Sequence, residues 1–134
     1  MASSESMEGE MQIIDVWAQI TTPRMARQPW MQSLLRWIKA TDDRAQTVES
    51  TLTAMDEAGV DLALIAAWHG IEGSLISNEE VAAAFAVAPD RFRGLATADI
   101  SQPMQAVRDL RHWLAHPGFV GVRVVPWLWD MPPN

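Results

Sequence analysis

The fold is decided by the stretch VDLALIAAW at residues 60–68, which is nearly all apolar and has the length of a β-strand. A continuous apolar strand is typical of a parallel sheet, in which both faces are covered. The preceding residues 47–59 have apolar side chains at helical spacing, with Thr47 as the N-cap and Gly59 at the carboxyl end. The sequence here therefore predicts a helix that leads into a buried strand.

The same criteria predict three more strands and two more helices on either side of this unit. The predicted strands are MQIIDVWAQ at residues 11–19, RGLATAD at 93–99 and FVGVRVV at 119–125. One helix begins at a Ser77-x-x-Glu80 capping box and runs to about Ala88; another begins at Pro103 and ends before Pro117. A short helix is expected within residues 30–38, inside a long connection. The predicted order is β-α-β-α-β-α-β, with parallel strands and right-handed crossovers.

Two α/β architectures fit this order of elements. One is a small, open, doubly wound sheet of four strands. The other is the N-terminal half of a (β/α)8 TIM-type barrel, a fold that typically needs about 250 residues for its eight units. After the fourth predicted strand the sequence enters a Trp-rich loop at residues 126–134 without a helix to cover that strand. This favours a partial barrel over residues 11–134, truncated after its fourth strand.

Composition and charge exclude several functional classes. The chain has 134 residues and no Cys, so it has no disulfide framework, thiol nucleophile or thiolate zinc site. Its net charge of -7, with 17 acidic and 10 basic residues, argues against nucleic acid as a partner. No apolar run approaches the ~20 residues that span a bilayer, so no membrane partner is expected.

The amino-terminal residues 1–10, MASSESMEGE, are acidic and Ser-rich and have no apolar core of a signal peptide. We expect them to form a disordered extension. Without a targeting signal, the expected location is the cytoplasm by default.

Candidate functional residues are sought where the predicted parallel strands end, because sites in α/β proteins lie at that edge. Strict alternation in the first strand puts Ile13, Asp15, Trp17 and Gln19 on one face. No glycine-rich phosphate loop follows this strand, and no Gly-x-Ser-x-Gly nucleophile elbow occurs.

Three side chains at the other strand ends have both a structural and a functional interpretation. His69 follows the 60–68 strand and is either a loop histidine bonded to backbone or an acid–base group. Arg123 lies within an apolar strand, so it either pairs with Asp15 or Asp99 or binds a substrate carboxylate. Trp127 either covers the core or lines a binding pocket.

Four segments in this order resemble a known family. They are IIDVWAQ at 13–19, TVE…MDEAGVD between 47 and 61, N…APDRFRG between 78 and 94, and GFVGVRVVP at 118–126. Together they are similar to the amidohydrolase-related enzymes of the decarboxylase type, metal-dependent hydrolases and decarboxylases related to aminocarboxymuconate-semialdehyde decarboxylase. The resemblance covers residues 12–129 and implies a (β/α)8 barrel that acts on small carboxylated compounds.

The resemblance also implies a divalent metal such as zinc, held partly by a His-x-His pair that ends the first strand. Trp17 and Gln19 occupy those two positions in this sequence. An indole offers only an N–H donor and an amide oxygen is a weak ligand, so no metal ligand is predicted here. The cofactor is therefore left open.

Two functional hypotheses follow from these observations. In the first, the chain is a fragment of a hydrolase or carboxy-lyase, inactive alone. Arg123 would hold the substrate carboxylate, His69 would serve as acid or base, and Trp17, Gln19 and Trp127 would line the pocket. In the second, the chain is a non-enzymatic half-barrel that pairs with a second copy or a complementing chain, because four parallel strands leave two open edges. An open monomeric sheet that binds a small ligand is a third alternative.

Overall fold

A computed structural model describes residues 11–40 and 46–131 of the chain. The strands are β1 (Ile14–Ala18), β2 (Leu62–Ala66), β3 (Trp68–Gly70), β4 (Gly73–Ile76), β5 (Phe92–Ala96) and β6 (Phe119–Val122). The helices are α1 (Pro23–Ala26), α2 (Pro29–Trp37), α3 (Val48–Ala58), α4 (Asn78–Val87) and α5 (Pro103–Leu114), and a 3-10 helix spans Pro126–Trp129. The predicted extension at residues 1–10 lies outside the described residues.

The four predicted strands form one parallel sheet in the order β1-β2-β5-β6. Each connection between neighbouring strands contains a helix, and the prediction of alternating β-α units is confirmed. A sheet of this kind, in which strand order follows chain order, is how the first half of a (β/α)8 barrel is built. No helix in the described residues is long and apolar enough to cross a membrane.

A hairpin that the sequence analysis missed lies between β2 and α4. The strand predicted to run to Trp68 ends at Ala66, and Trp68 instead begins β3, which pairs antiparallel with β4. Gly73 has a φ of 114°, a conformation that favours glycine, and it begins the returning strand. The Thr22 hydroxyl, at the start of α1, donates a hydrogen bond to the Leu75 carbonyl and holds the hairpin against that helix.

A bulge in β1 corrects the prediction of strict alternation. Asp15 is in register with Ala63 and Ala18 with Ile65, so three residues of β1 span two residues of β2. Asp15 and Ala18 therefore share a face of the sheet, which alternation would not allow. The Asp15 carboxylate accepts a hydrogen bond from the Trp17 N–H at 2.9 Å, which satisfies a backbone donor at the bulge.

The two faces of the sheet are buried unequally. On the helix-covered face Ala63, Ile65 and Phe92 are at most 1% exposed. On the opposite face Leu64 and Leu95 are only half-buried. Ala66, on this same face, is 2% exposed, so the prediction that the 60–68 strand is buried on both faces is confirmed at its carboxyl end but not at Leu62 and Leu64.

Both edge strands expose apolar side chains. Val16 of β1 is 67% exposed, and Val120 and Val122 of β6 are 59% and 44% exposed. β6 has neither the charged residues nor the proline with which natural edge strands discourage pairing. β6 therefore lacks the features by which exposed edge strands usually avoid pairing.

Arg91 ties the amino-terminal ends of the central strands together. Its guanidinium donates to the carbonyls of Val60 and Asp61 and to the Asp56 carboxylate, at 2.8 to 2.9 Å. These bonds connect the end of α3 to the start of β5. They give a structural reason for the arginine in the APDRFRG segment.

The predicted helix starts are confirmed at Thr47, Ser77 and Pro103. At α4 the Glu80 carboxylate completes the capping box with Ser77 and also pairs with Arg24 of α1. Burial alone would raise the pKa of Glu80, but the Ser77 N–H and the Arg24 guanidinium outweigh it and hold that pKa below its ordinary value. Glu80 thus joins α4 to the helix that supports the hairpin.

Replacing Glu80 with Ala is expected to reduce the free energy of unfolding by about 1 kcal/mol, because the cap and the Arg24 pair are both lost. Since the folded-state pKa is lowered, this contribution is present above the ordinary value of 4.5 and is lost as the pH falls through the folded-state pKa. Urea unfolding at neutral and acidic pH measures both effects. Glu79→Ala, an exposed neighbour in the same turn, is the control; equal losses would contradict the assignment.

Candidate functional site

The carboxyl ends of the four parallel strands meet at one edge of the sheet, where an arginine and several tryptophans collect. Arg123 follows β6, Trp17 lies near the end of β1, and Trp68 follows β2 at the start of the hairpin. Arg123 and Trp17 were predicted as site residues from the sequence, but Trp68 was not. Sites in parallel α/β folds form at this edge because strand ends and their loops converge there.

The Arg123 guanidinium lies between two indole rings. Its Cζ is 3.6 Å from the centroid of Trp17 and 4.9 Å from that of Trp68, both within cation–π distance. No carboxylate among the described residues forms an ion pair with Arg123. The Asp15 carboxylate instead accepts a hydrogen bond from the backbone N–H of Trp17, and the Asp99 carboxylate accepts one from the backbone N–H of Ser101. Neither of the ion pairs considered for Arg123 forms. Partial burial lowers the pKa of Arg123, yet an arginine stays protonated at neutral pH.

Trp68 is the centre of an aromatic cluster that lies to one side of this cation. Trp30 of α2 stacks on Trp68 with ring centroids 6.0 Å apart. Trp127 meets both rings edge-on, at 5.0 Å from Trp30 and 6.3 Å from Trp68. Trp68 is only 5% exposed, whereas Trp127 is 51% exposed. The predicted residues Trp17, Arg123 and Trp127 are therefore brought together through a residue that was not predicted.

His69 lies on the neighbouring part of the same edge. Its ring stacks on Trp129 at 5.4 Å between centroids. A hydrogen bond from the Ser101 hydroxyl lowers the pKa of Asp99, and the nearby His69 contributes to the same shift. The Asp99 carboxylate caps the following turn by accepting hydrogen bonds from the backbone N–H and the hydroxyl of Ser101. The other two histidines, His112 and His116, are exposed and lie away from this edge.

The buried side-chain polar atoms without a hydrogen-bond partner in the described residues belong to this edge of the sheet. They are Oε1 of Gln19, Nδ1 of His69, and Nε1 of Trp30, Trp68 and Trp129. Buried polar atoms normally have partners, and unpaired ones are concentrated where a ligand or water is bound. Three of these atoms are N–H donors, which suits an anion better than a cation.

Trp17 and Gln19 also line a separate cleft of about 1010 Å³ between β1, α2 and α3. Its walls are mainly apolar, with Met31, Leu35 and Met55 among them. This cleft lies beside the edge strand β1 and is lined by neither His69 nor Arg123. The predicted site residues thus divide between two regions, and Trp17 belongs to both.

The residues at this edge do not fit the divalent metal that the family resemblance implies. The Trp17 ring is stacked on the Arg123 cation, and a metal ion there would meet a positive charge instead of a ligand. No group of three or more His, Asp or Glu side chains in residues 11–40 and 46–131 could hold a metal ion. We therefore propose no reaction step that involves a metal ion.

Solved structures show a similar fold. An uncharacterized TIM-barrel protein from Bordetella bronchiseptica matches with a TM-score of 0.64 and 17% identity, over 92% of this chain and 47% of that chain. The fold is that of the N-terminal half of a (β/α)8 barrel. The predicted fold class is confirmed, and the alternative of a doubly wound sheet is dropped.

Two further structures with a similar fold are described as enzymes. One is a probable 2-pyrone-4,6-dicarboxylic acid hydrolase from Acinetobacter baumannii with citric acid bound, at a TM-score of 0.56 and 20% identity over 92% of this chain. The other is a 2,6-dihydroxybenzoate decarboxylase in complex with 2,6-dihydroxybenzoate, at 0.64 and 21% over 85% of this chain.

The half-barrel spans 41% and 39% of those two chains. The resemblance to the amidohydrolase-related enzymes is confirmed at the level of the fold. No protein-family model and no curated protein match this sequence.

Proposed function

We propose that this half-barrel is part of a hydrolase or carboxy-lyase that acts on a small carboxylated compound, with Arg123 as the group that binds the carboxylate. The observation that carries the proposal is the Arg123 guanidinium, which is fixed between Trp17 and Trp68 and has no carboxylate partner in the described residues. A guanidinium presents a planar set of donors that matches a carboxylate, and the flanking rings hold its orientation.

The surrounding unpaired donors support the same ligand chemistry. The indole N–H groups of Trp30 and Trp68 lie in the aromatic cluster next to Arg123 and have no acceptor among the residues that the structure describes. Trp17 offers a ring surface for an apolar part of the substrate, and Gln19 offers an amide near the end of β1. Trp127, which was also predicted to line the pocket, packs edge-on against Trp30 and Trp68 in the same cluster. The similar structures, which hold citric acid and 2,6-dihydroxybenzoate, agree with a carboxylated ligand.

His69 is the proposed acid or base. Its imidazole lies at the strand-end edge, its Nδ1 is buried with no partner among the described residues, and it is close enough to Asp99 to help lower the pKa of that carboxyl group. A complete reaction also needs groups at the ends of further strands, since catalytic residues of barrels come from several strands. We therefore propose that the 134-residue chain has no turnover alone.

Calorimetric titration with 2,6-dihydroxybenzoate and with citrate tests the proposal. We expect Arg123→Gln to weaken carboxylate binding by about 10- to 100-fold, because a charged hydrogen-bonded pair contributes about 1.5–3 kcal/mol. Arg123→Lys keeps the charge but loses the planar donors, so an intermediate loss is expected. Arg108→Gln, an exposed arginine of α5, is the control. Equal affinity of wild type and Arg123→Gln would refute the proposal.

A second candidate function is a half-barrel that pairs with a second copy of itself or with a complementing chain. The exposed valines of β1 and β6 favour this second candidate, because each of these strands belongs to a parallel sheet and presents apolar side chains at its edge. Two copies related by a twofold axis along the barrel could join β6 of each to β1 of the other and close eight strands.

The oligomeric state of the purified chain tests this second candidate. We expect wild type to form dimers and Val122→Lys to shift it towards monomers, because a lysine at this edge opposes strand pairing. Val87→Lys, at an equally exposed position in α4, should leave the dimer unchanged. Sedimentation velocity measures the three species; a monomeric wild type would exclude self-pairing.

A further inference from the structure

The 3-10 helix Pro126–Trp129, here called the strap, crosses the strand-end edge and covers the ring cluster beside Arg123. Trp127 places its edge on Trp30 and Trp68, at interplanar angles of 83° and 68°. Because Trp68 is only 5% exposed, no ligand reaches its ring while its neighbours stay in place. Trp127 is half-exposed and is the outermost of these rings.

The strap contacts the hairpin through Leu128 and Trp129. The Ile71 N–H donates to the Leu128 carbonyl at 2.9 Å, and Trp129 stacks on His69. Gly70 makes this approach possible, since a Cβ there would lie 2.8 Å from the Leu128 carbonyl oxygen and 2.9 Å from its Cβ. The strap thus lies over the hairpin at Gly70, where the absence of a side chain leaves room for it.

We propose that Trp127 is an internal occupant of the aromatic surface next to Arg123 and that a planar carboxylate binds by replacing the Trp127 indole beside Trp30 and Trp68. This inference rests on the proposed function and adds to it a residue that opposes binding. The Trp127 ring takes up aromatic surface that the ligand ring would use, while the Arg123 guanidinium remains for the carboxylate. Displacing Trp127 exposes the Trp68 ring, with its unpaired indole N–H, to the ligand.

Two variants remove the occupant in different ways. Trp127→Ala deletes the indole, and its half-exposed position makes a folded variant the expected result. Gly70→Ala retains every tryptophan side chain of the cluster, but its added Cβ pushes Leu128 away from the hairpin. Trp37→Ala is the matched control, since Trp37 is 81% exposed.

The experiment is calorimetric titration of the full chain with 2,6-dihydroxybenzoate, together with ¹⁹F NMR of 5-fluorotryptophan-labelled protein. We expect Trp127→Ala to bind about tenfold more tightly, because the ligand no longer has to break two aromatic contacts. Gly70→Ala should also bind more tightly, with its Trp30 and Trp68 resonances shifted before any ligand is added. Trp37→Ala should match the wild type in both measurements.

The outcomes separate this inference from the function on which it rests. If wild type binds through Arg123 and Trp127→Ala binds equally or more weakly, Trp127 is not an occupant, and only this inference is overturned. If neither wild type nor Trp127→Ala binds the carboxylate, the proposed function is overturned together with it. Tighter binding by both strap variants, with the Arg123 dependence retained, supports both.

Discussion

Replacing Trp68 with Ala is expected to lower the free energy of unfolding by about 3–5 kcal/mol, the cost of removing a large buried aromatic side chain. Trp68 is 5% exposed and contacts Trp30, Trp127 and Arg123. Much of a small domain's net stability, about 5–15 kcal/mol, would therefore disappear with one side chain. Equilibrium urea unfolding followed by circular dichroism measures the loss.

Trp17→Ala is the matched comparison, because Trp17 also stacks on Arg123 but is 63% exposed. Its loss should cost only about 0.5–1 kcal/mol, the range of an exposed cation–π contact. Trp68→Phe should recover part of the stability, since it keeps a ring and the Trp68 N–H has no partner to lose. Equal losses for Trp17→Ala and Trp68→Ala would show that Trp68 does not organise the cluster.

Gly118→Ala is the second substitution for which we expect a large loss, about 1–3 kcal/mol, from overpacking. A Cβ on Gly118 would overlap the Phe85 ring, which α4 inserts between the β5 and β6 ends of the sheet. Gly94 leaves room for the same ring from β5, where a Cβ would lie 2.6 Å from Phe85 Cζ. These contacts explain why both glycines belong to the segments that resemble the family.

Thermal unfolding of Gly118→Ala, alone and combined with Phe85→Leu, measures this effect. The smaller leucine should make the glycine substitution less costly, so the two changes are expected to be non-additive. Gly121→Ala, three residues further on in β6, is the control, because its Cβ would meet only the end of the Leu95 side chain, at 3.1 Å. Additive losses would show that Phe85 is not what requires Gly118.

The main sheet was predictable because its signals are local. Apolar runs placed the starts of the four parallel strands within three residues, as at 60 for Leu62 and 119 for Phe119. The caps at Thr47 and Ser77 and the proline at position 103 fixed the helix starts, since each satisfies or removes a backbone donor at a helix end.

The hairpin and the bulge were missed because their signals depend on tertiary contacts. β3 has three residues, too few to show a period, and its sequence continues the apolar run of β2. The bulge in β1 is visible only in its pairing with Ala63 and Ile65. Neither feature has a pattern that differs from an ordinary strand end or strand.

The candidate site was predictable only in part. Strand ends indicated Trp17, Gln19, His69, Arg123 and Trp127, but Trp30 and Trp68 had the spacing and burial expected of ordinary core residues. Arg123 had two interpretations, an ion pair or a carboxylate clamp, and stacking between two indoles was neither of them. One signal in the sequence could have indicated the cluster. The apolar run at 60–68 ends in a tryptophan, Trp68, and another predicted strand contains a charged residue, Arg123.

We propose that this chain is the first half of a barrel enzyme. Sequencing the transcript past the codon for Asn134 tests it most directly. We predict an open frame that continues through about four more β-α units, with His and Asp residues at the ends of the new strands. A stop codon directly after Asn134 would contradict the claim and would leave the self-pairing half-barrel as the account of this protein.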